Sequence, residues 1–315
     1  MRILVTGGCG YIGSELVPLL LDDDRVEEVV VLDSLVTGSP ANLAGAIGEE
    51  LTFRHGDVRE YGDVESAMRD VNSVVHLAAI TGAGSTHDRR EETFAVNRDG
   101  TENLLTAARK YDIDTVVFAS SCNNYGRVAS TDIDEGTNQN PLNPYAESKV
   151  AAEQLLEEAV NEYGIDGTAL RMSTNYGWAS GIRFNLVVNL FVFRALTDRP
   201  LTVYGDGSNW RPFIHVQDAA RAYARAVLDP EEWSRLVYNV GSNEENYQIE
   251  EIAQIVRTEL GRDSDITYLE EEHPGPSYHV NFDRLSEIGF KPTWTLGDGV
   301  RDLAAHLETE GGIAA

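Results

Sequence analysis

The chain has 315 residues, 42% of them hydrophobic, so it can bury a sizeable core and is not an intrinsically disordered chain. Its 52 acidic residues outnumber 25 basic ones and give a formal net charge of −27, which excludes nucleic acid and anionic membranes as favourable partners because phosphate would be repelled. No apolar run reaches the length of a membrane span and no signal peptide is evident, so we expect a cytoplasmic protein. The only two cysteines, Cys9 and Cys122, are typical of a reducing compartment.

The basic residues are almost all arginine, because the only lysines are Lys110, Lys149 and Lys291. One interpretation of the excess of acids is a solvated surface that maintains solubility. The other is a halophilic protein, in which molar salt screens the mutual repulsion of the carboxylates. The scarcity of lysine, together with the abundance of acids, favours the halophilic interpretation.

The first 33 residues have the order strand, glycine-rich turn, helix, strand, acid. An apolar run at 2–6 breaks into a G-x-x-G-x-x-G turn, and a second apolar run ends on Asp33. This order is typical of a dinucleotide-binding βαβ unit, in which the pyrophosphate lies at the helix amino end and the acid accepts hydrogen bonds from a ribose. No basic residue occurs at 34–40, which favours NAD over NADP. The turn residues predicted to bind the cofactor are Gly7, Gly10, Tyr11, Ile12 and Gly13.

Apolar runs alternate with helical patterns as far as residue 172. This alternation predicts an α/β fold with a doubly wound parallel Rossmann sheet, in a NAD-binding domain at 1–172. The rhythm then loosens, and we expect 173–315 to be mainly a smaller α/β substrate-binding domain, with a segment at 237–240 returning to the sheet. The predicted strands are 51–53, 73–77, 115–119, 168–172 and 201–204, and the predicted helices are 63–70, 94–110, 144–163, 185–197, 217–228, 249–260 and 296–307.

Tyr145 and Lys149 lie four residues apart at the start of the predicted helix 144–163, so they share one face. Asn143 can cap this helix, and Pro144 suits its first position. A tyrosine is a poor base at neutral pH, but a nearby ammonium or an oxidised nicotinamide would lower its pKa. Tyr145 could then take a proton from an alcohol while hydride leaves the same carbon. Ser121 ends the preceding strand, at the sheet edge where such folds bind ligands.

These residues belong to a longer series of motifs. Through these motifs the chain resembles the extended short-chain dehydrogenase/reductase family. Within that family it is most similar to the NAD-dependent sugar-nucleotide epimerases and dehydratases. The resemblance covers nearly the whole chain. Its motifs are T-G-G-C-G-Y-I-G-S (6–14), L-D-S-L (32–35), G-D-V (56–58), H-L-A-A (76–79), S-S-C-N-N-Y-G (120–126), P-Y-A-E-S-K (144–149), L-R-M-S-T-N-Y-G (170–177) and R-P-F-I-H-V-Q-D (211–218).

The resemblance implies roles for individual residues. Tyr145 would be the acid/base, Ser121 would bind the reacting hydroxyl, and Lys149 would hold the nicotinamide ribose. The cofactor site would further include Asp57, Val58, Ala78, Ala79 and Asn97. The substrate site, for a nucleotide sugar, would include Thr174, Asn175, Thr202, Tyr204, Arg211 and His273, with Arg211 on the diphosphate.

Dehydratases of the family carry acids directly after the active-site Ser or Thr, to expel a hydroxyl as water. Here these positions are Cys122 and Asn123, so dehydration is disfavoured. The remaining reaction is epimerisation of a nucleotide sugar at C4 through a transient 4-keto intermediate, of the UDP-glucose/UDP-galactose type. Cys122 is either a thiol acid/base or a small buried hydrophobe.

Two positions depart from the family pattern and leave the sugar and the nucleotide open. Thr174 replaces the substrate asparagine, and His273 replaces an arginine near the carboxyl end, where it is either a diphosphate ligand or a loop histidine. A net sugar or uronate dehydrogenase/reductase of the same fold is the alternative function, and a non-catalytic NAD-binding scaffold the third. The histidines have no metal-ligand spacing, so we expect no metal. The resemblance also implies a homodimer built from helices 94–110 and 144–163.

Overall fold

The computed structural model of the chain describes residues 1–82, 84–128, 130–270 and 275–309. His273 therefore lies outside the described residues. The strands are β1 (Arg2–Thr6), β2 (Glu28–Asp33), β3 (Leu51–His55), β4 (Ser73–His76), β5 (Thr115–Ser121), β6 (Asp166–Met172), β7 (Thr174–Tyr176), β8 (Leu201–Tyr204), β9 (Trp210–His215), β10 (Val237–Val240), β11 (Asn246–Gln248) and β12 (Ile266–Leu269). The α-helices are α1 (Gly13–Leu21), α2 (Tyr61–Ala67), α3 (Arg90–Phe94), α4 (Gly100–Lys110), α5 (Pro144–Tyr163), α6 (Val187–Leu196), α7 (Val216–Leu228), α8 (Ile249–Leu260), α9 (Asp283–Glu287) and α10 (Leu296–Thr309).

The main sheet has seven strands in the order β3-β2-β1-β4-β5-β6-β10, and every neighbouring pair is parallel. The predicted Rossmann fold is confirmed. The chain crosses from one half of the sheet to the other between β3 and β4, so β1 and β4 are neighbours with Leu4 opposite Val74. Their carboxyl ends, together with that of β5, form the edge at which this fold binds ligands.

Two apolar layers cover the main sheet, because its central strands are buried on both faces. Helices α1 and α7 pack on one face through residues such as Leu16 and Tyr223. Helices α2, α4 and α5 pack on the other, where Leu104 and Leu156 lie in one cluster. The two helices that carry predicted site residues, α1 and α5, are thus held on opposite faces of the sheet.

The second half of the chain adds a smaller unit. Strands β7, β9 and β11 form a three-stranded sheet, and β8 and β12 form a two-stranded parallel sheet. A third apolar cluster joins these strands to α6, α8 and α10, with Phe213 and Val256 among its buried members. The main sheet also takes β10 from this half. The domain division at residue 172 stays a prediction.

The predicted helix 94–110 is interrupted in the structure. Helix α3 leads into a π-helical turn at Ala95–Asp99, and α4 then begins at Gly100. The wider turn carries Asn97, whose side chain bonds to residues of two neighbouring elements. Such turns occur most often at functional sites. Within the described ranges, no helix is both long and apolar enough to cross a bilayer.

Candidate active site

The glycine-rich turn between β1 and α1 leaves no space for side chains at two of its glycines. Gly7 has a φ of 72°, and a Cβ there would lie 2.7 Å from the backbone nitrogen of Ala78. A Cβ at Gly13 would lie 2.4 Å from the carbonyl oxygen of Gly8. No described side chain caps the amino end of α1. Free N–H groups and the positive end of the helix dipole therefore favour an anion at this turn, as a pyrophosphate requires.

Asp33 ends β2 beside this turn and is buried. Its Oδ2 accepts the N–H of Cys9 at 2.9 Å, and its Oδ1 accepts the N–H of Leu35 at 2.8 Å. Each carboxylate oxygen has two lone pairs, so a further lone pair on each can accept a ribose hydroxyl. The turn and the acid together fit the adenosine diphosphate part of a dinucleotide.

The side chain of Tyr11 connects the glycine-rich turn to another part of the chain. Its phenol is buried and donates a hydrogen bond of 2.7 Å to the carbonyl oxygen of Gly177, after β7. Asn189 accepts the N–H of Gly177 at 2.9 Å from the other side. Tyr11 thus joins the glycine-rich turn to the segment that follows β7, and only its backbone is available to a cofactor.

The remaining predicted cofactor residues lie along the carboxyl edge of the sheet. Ala78 and Ala79 follow β4 and are half-buried, and Val58 is buried. Asp57 forms an ion pair of 2.6 Å with Arg59, whose hydrogen bonds hold the pKa of the Asp57 carboxyl below its usual range. The backbone N–H of Asp57 is also engaged, because it donates to the Oδ2 of Asp63 at 2.9 Å, so this residue is held firmly at the sheet edge.

Asn97 holds the loop after β4 in place. Its Oδ1 accepts the N–H of Ile80 at 2.8 Å, and its Nδ2 donates to the carbonyl oxygen of Ile80 at 2.9 Å and to the Oγ of Ser148 at 2.9 Å. This amide accordingly connects the loop to α5 behind the cofactor edge. Its contacts are those of a residue that caps a loop.

Ser121 and Tyr145 meet where β5 ends and α5 begins. Helix α5 starts as predicted, with Pro144 in its first turn and the Oδ1 of Asn143 accepting the N–H of Ala146 at 3.0 Å. This cap places Tyr145 in the first turn of α5, near enough to Ser121 for the serine hydroxyl to lower the pKa of the phenol. A serine hydroxyl and a phenol that lie side by side can both contact one substrate hydroxyl.

Opposing effects set the pKa of Tyr145, and the sequence-based expectation that Lys149 lowers it stays a prediction. Burial raises this pKa above its ordinary value, while the hydrogen bond with Ser121 and the charge of Arg183 lower it. Lys149 is itself buried, with its Nζ 4.8 Å from the centre of the Phe118 ring. Burial lowers the pKa of Lys149 to about 7, because a low-dielectric environment disfavours its ammonium form. Arg183 is a further cation whose charge lowers the pKa of Tyr145.

The predicted substrate residues are brought together only in part. Arg211 lies on β9 with its guanidinium 5.1 Å from the ring of Tyr278, and the pKa of Tyr278 responds to both Arg211 and Tyr145. The charges of Arg211 and Tyr145 therefore both act on this one buried phenol. Thr174 and Asn175 lie on β7, which pairs with β9.

Thr202 and Tyr204 lie on β8, in the two-stranded sheet. The hydroxyl of Thr202 accepts a hydrogen bond from Arg194, and the side chain of Tyr204 is 59% exposed. In the part of the chain that the structure describes, neither Thr202 nor Tyr204 forms a hydrogen bond with Ser121, Tyr145 or Lys149.

Comparison with known proteins decides the family. Residues 3–241 match the model of the NAD dependent epimerase/dehydratase family. The chain belongs to the NAD-dependent epimerase/dehydratase family. It is 32% identical over 311 residues to a putative UDP-glucose 4-epimerase of Methanocaldococcus jannaschii, with 97% of this chain and 98% of the relative covered.

Solved structures of the epimerase/dehydratase family agree. The UDP-glucose 4-epimerase of Thermus thermophilus, in complex with NAD, is 31% identical with a TM-score of 0.86, covering 98% of this chain and 99% of that one. The dTDP-glucose 4,6-dehydratase DesIV of Streptomyces venezuelae, with NAD bound, is 30% identical with a TM-score of 0.90, covering 99% and 98%. NAD is therefore the cofactor of this chain, and the glycine turn and Asp33 fit it. Epimerases and dehydratases are about equally similar to it.

Cys122 and Asn123 occupy the positions where the resemblance places the acids of a dehydratase. Cys122 is fully buried, and its Sγ donates to the carbonyl oxygen of Arg171 at 3.1 Å. Burial raises the pKa of this thiol well above its usual range. Of the two interpretations of Cys122, the structure favours a small buried hydrophobe. Among the described residues, no group of three His, Cys, Asp or Glu side chains could hold a metal ion.

Sequence reasoning missed Arg183, the charged residue of the loop between β7 and α6. Its Nη1 donates to the hydroxyl of Thr81 at 2.6 Å, and its Nε donates to Asn185 at 3.2 Å. No ion pair of Arg183 with a carboxylate occurs in the part of the chain that the structure describes. No motif marks Arg183, and only the fold brings it near Tyr145.

Proposed function

We propose that this chain is a NAD-dependent nucleotide-sugar 4-epimerase of the UDP-glucose/UDP-galactose type. The single observation that carries the proposal is the proximity of Ser121 and Tyr145 beside the cofactor edge, without an acid at the two positions after Ser121. Such a pair can move one proton on one sugar hydroxyl. Loss of water would require a further acid/base, and Cys122 has too high a pKa to serve as a thiolate base.

In the proposed reaction Tyr145 accepts the proton of the C4 hydroxyl, and Ser121 orients this hydroxyl by a hydrogen bond. Bound NAD supplies the hydride acceptor and donor, and its positive nicotinamide also favours the phenolate of Tyr145. Lys149 donates to the nicotinamide ribose and lies behind Tyr145 on the same helix face. After the 4-keto sugar has turned its other face to the cofactor, Tyr145 returns the proton.

Arg211 would hold the diphosphate of the substrate, since its planar guanidinium can donate to two phosphate oxygens at once. Its guanidinium lies 5.1 Å from the ring of Tyr278, a buried phenol whose pKa also responds to Tyr145, and this proximity to the candidate site supports the role. Thr174, Asn175, Thr202 and Tyr204 would line the rest of the substrate site. A panel of substrates has to identify the sugar and the nucleobase.

The test is to incubate the purified protein, without added NAD, with UDP-glucose, UDP-galactose, their uronic and N-acetyl analogues, and dTDP-glucose. We expect NMR spectra to show the C4 epimer of at least one of these sugars. Formation of a 4-keto-6-deoxy sugar from dTDP-glucose would instead establish a dehydratase. Stoichiometric release of NADH to solution would establish a net dehydrogenase, and no turnover of any member would contradict the epimerase.

We also propose that the protein is a homodimer built from the exposed sides of α4 and α5. Tyr163, at the end of α5, is exposed and lies under the guanidinium of Arg109 at 4.1 Å, so this face offers an aromatic surface between charged groups. Light scattering should give twice the chain mass of 34.6 kDa. A mass of one chain would contradict the proposal.

A further inference from the structure

Helix α5 carries a buried acid that the proposed reaction does not use. Glu153 lies one turn after Lys149 and two turns after Tyr145, so the three residues share one face of the helix. Its carboxylate forms an ion pair of 2.8 Å with Arg171 of β6, and both side chains are buried. A buried pair of this kind is costly to desolvate and contributes little net stability, so its presence calls for another reason.

The carboxylate of Glu153 joins α5 to the end of β5. Its Oε1 accepts hydrogen bonds from Ser120 and from the Nδ2 of Asn124, the latter at 3.2 Å. Its Oε2 accepts the Nε2 of Gln139 at 2.7 Å and the Nη2 of Arg171 at 2.8 Å. Ser120 precedes Ser121 directly. Glu153 therefore connects the helix that carries Tyr145 to the strand that carries Ser121.

The same carboxylate is the negative charge that acts on Lys149. The ammonium faces the ring of Phe118 on β5 and His76 on β4. Burial lowers the pKa of His76 to about 3, so its imidazole, hydrogen-bonded to Thr6 and Thr101, is neutral at physiological pH. Tyr145 and Glu153 are the titratable groups on its own helix. Glu153 favours the charged form of Lys149, whereas burial opposes it.

We propose that Glu153 is a positioning residue, whose carboxylate favours the ammonium form of Lys149 one helical turn away and holds the end of β5 against α5. Arg171 has a supporting part, because an isolated carboxylate at this depth would itself take up a proton. Arg171 thus keeps Glu153 ionised, and ionised Glu153 in turn favours the charged form of Lys149. This inference rests on the proposed function only in that Lys149 is taken to hold the nicotinamide ribose.

The test uses the small number of lysines, Lys110, Lys149 and Lys291. Protein labelled with ¹³C at lysine Cε gives three side-chain resonances, and Lys→Arg variants at 110 and 291 assign them. The chemical shift of Lys149 is followed against pH in wild type and in Glu153→Gln, which keeps the size of the side chain and removes its charge. We expect the midpoint for Lys149 to fall by about one pH unit or more in Glu153→Gln.

Two further variants separate charge from packing. Glu157→Gln removes an exposed charge one turn further along the same helix and should leave the midpoint of Lys149 unchanged. Glu153→Asp keeps the charge and should keep the midpoint close to that of wild type, even if the shorter side chain lowers thermal stability. Equal midpoints in Glu153→Gln and wild type would overturn the proposal, as would an equal fall in Glu157→Gln or in Glu153→Asp.

The activity gives an independent readout. In Glu153→Gln the alkaline limb of the kcat profile should move to lower pH together with the Lys149 midpoint, while a merely structural role would lower kcat equally at all pH values. If the wild-type protein epimerises no sugar, the proposed function is contradicted, but the NMR titration still tests the effect of Glu153 on the pKa of Lys149. An unchanged titration in an active epimerase would defeat only the role of Glu153.

Discussion

Arg183 donates a hydrogen bond of 2.6 Å to the hydroxyl of Thr81, and this bond joins the loop after β7 to the loop after β4. The loop after β4 leaves the carboxyl edge of the main sheet, where β5 ends at Ser121, and the loop after β7 comes from the three-stranded sheet. Arg183 is also the cation that lowers the pKa of Tyr145 against the effect of burial. The guanidinium of Arg183 thus connects two loops near the site and favours the phenolate form of Tyr145, the proposed acid/base.

Replacement of Arg183 by Gln should move the acid limb of the kcat profile to higher pH. The phenolate of Tyr145 is the proposed base, and without the cation its pKa rises, so activity falls by about 3- to 10-fold on the acid side of the profile and by less at the optimum. Arg183→Lys keeps the charge and should restore most of the profile. A loss of activity that is equal at every pH in both variants would assign Arg183 a structural role alone.

Replacement of Gly13 by Ala should abolish binding of NAD. The added methyl group would lie 2.4 Å from the carbonyl oxygen of Gly8, so the turn that accommodates the pyrophosphate has to open. Gly45→Ala is the matched control, since nothing lies within 4 Å of its Cβ. NAD content after gel filtration is the measurement. Equal NAD content in the two variants would show that the pyrophosphate binds elsewhere.

The net charge of −27 predicts that salt stabilises the fold. Molar KCl screens repulsion among the carboxylates, and we expect Tm to rise by about 10 °C between 0.1 and 2 M KCl, equivalent to ~7 kcal/mol for a chain of this size. Thermal unfolding followed by circular dichroism measures this. A Tm that is unchanged or lower at 2 M KCl would reject the halophilic interpretation.

His76 predicts a loss of stability on mild acidification. Its pKa is about 3 in the fold, against an ordinary value of 6.5, so below pH 6.5 the unfolded chain binds a proton that the folded chain excludes. The free energy of unfolding should fall from pH 6.5 downwards, with the loss complete near pH 3. His76→Gln should reduce the fall between pH 6.5 and 5 by about 1 kcal/mol. The exposed His87→Gln should not reduce it, and an equal slope in all three proteins would contradict this account.

The order of the main strands and the start of α5 follow from local sequence signals. Buried parallel strands are continuous apolar runs, and Asn143 with Pro144 specifies a helix start that needs no tertiary information. The π turn around Asn97 has no such signal, because its hydrogen bonds go to Ile80 and Ser148, which are distant in the chain. Helical periodicity over 94–110 therefore predicts one helix where the structure has two.

The charges of the site could be predicted only in part. The spacing of Tyr145 and Lys149 places them on one face, and this is enough to recognise a candidate pair. The pKa of each depends instead on burial and on groups remote in sequence, such as Arg183 for Tyr145. A one-dimensional pattern contains neither the depth of a side chain nor a cation brought in by a loop.

The central claim, that Tyr145 moves the proton of the reacting hydroxyl, is tested most directly by kcat of Tyr145→Phe on the sugar that wild type epimerises. NAD content is measured in the same sample. We predict unchanged NAD content and a kcat lower by roughly 100- to 10,000-fold, the range of general acid–base catalysis. A variant that retains NAD and turns over within twofold of wild type would contradict the account.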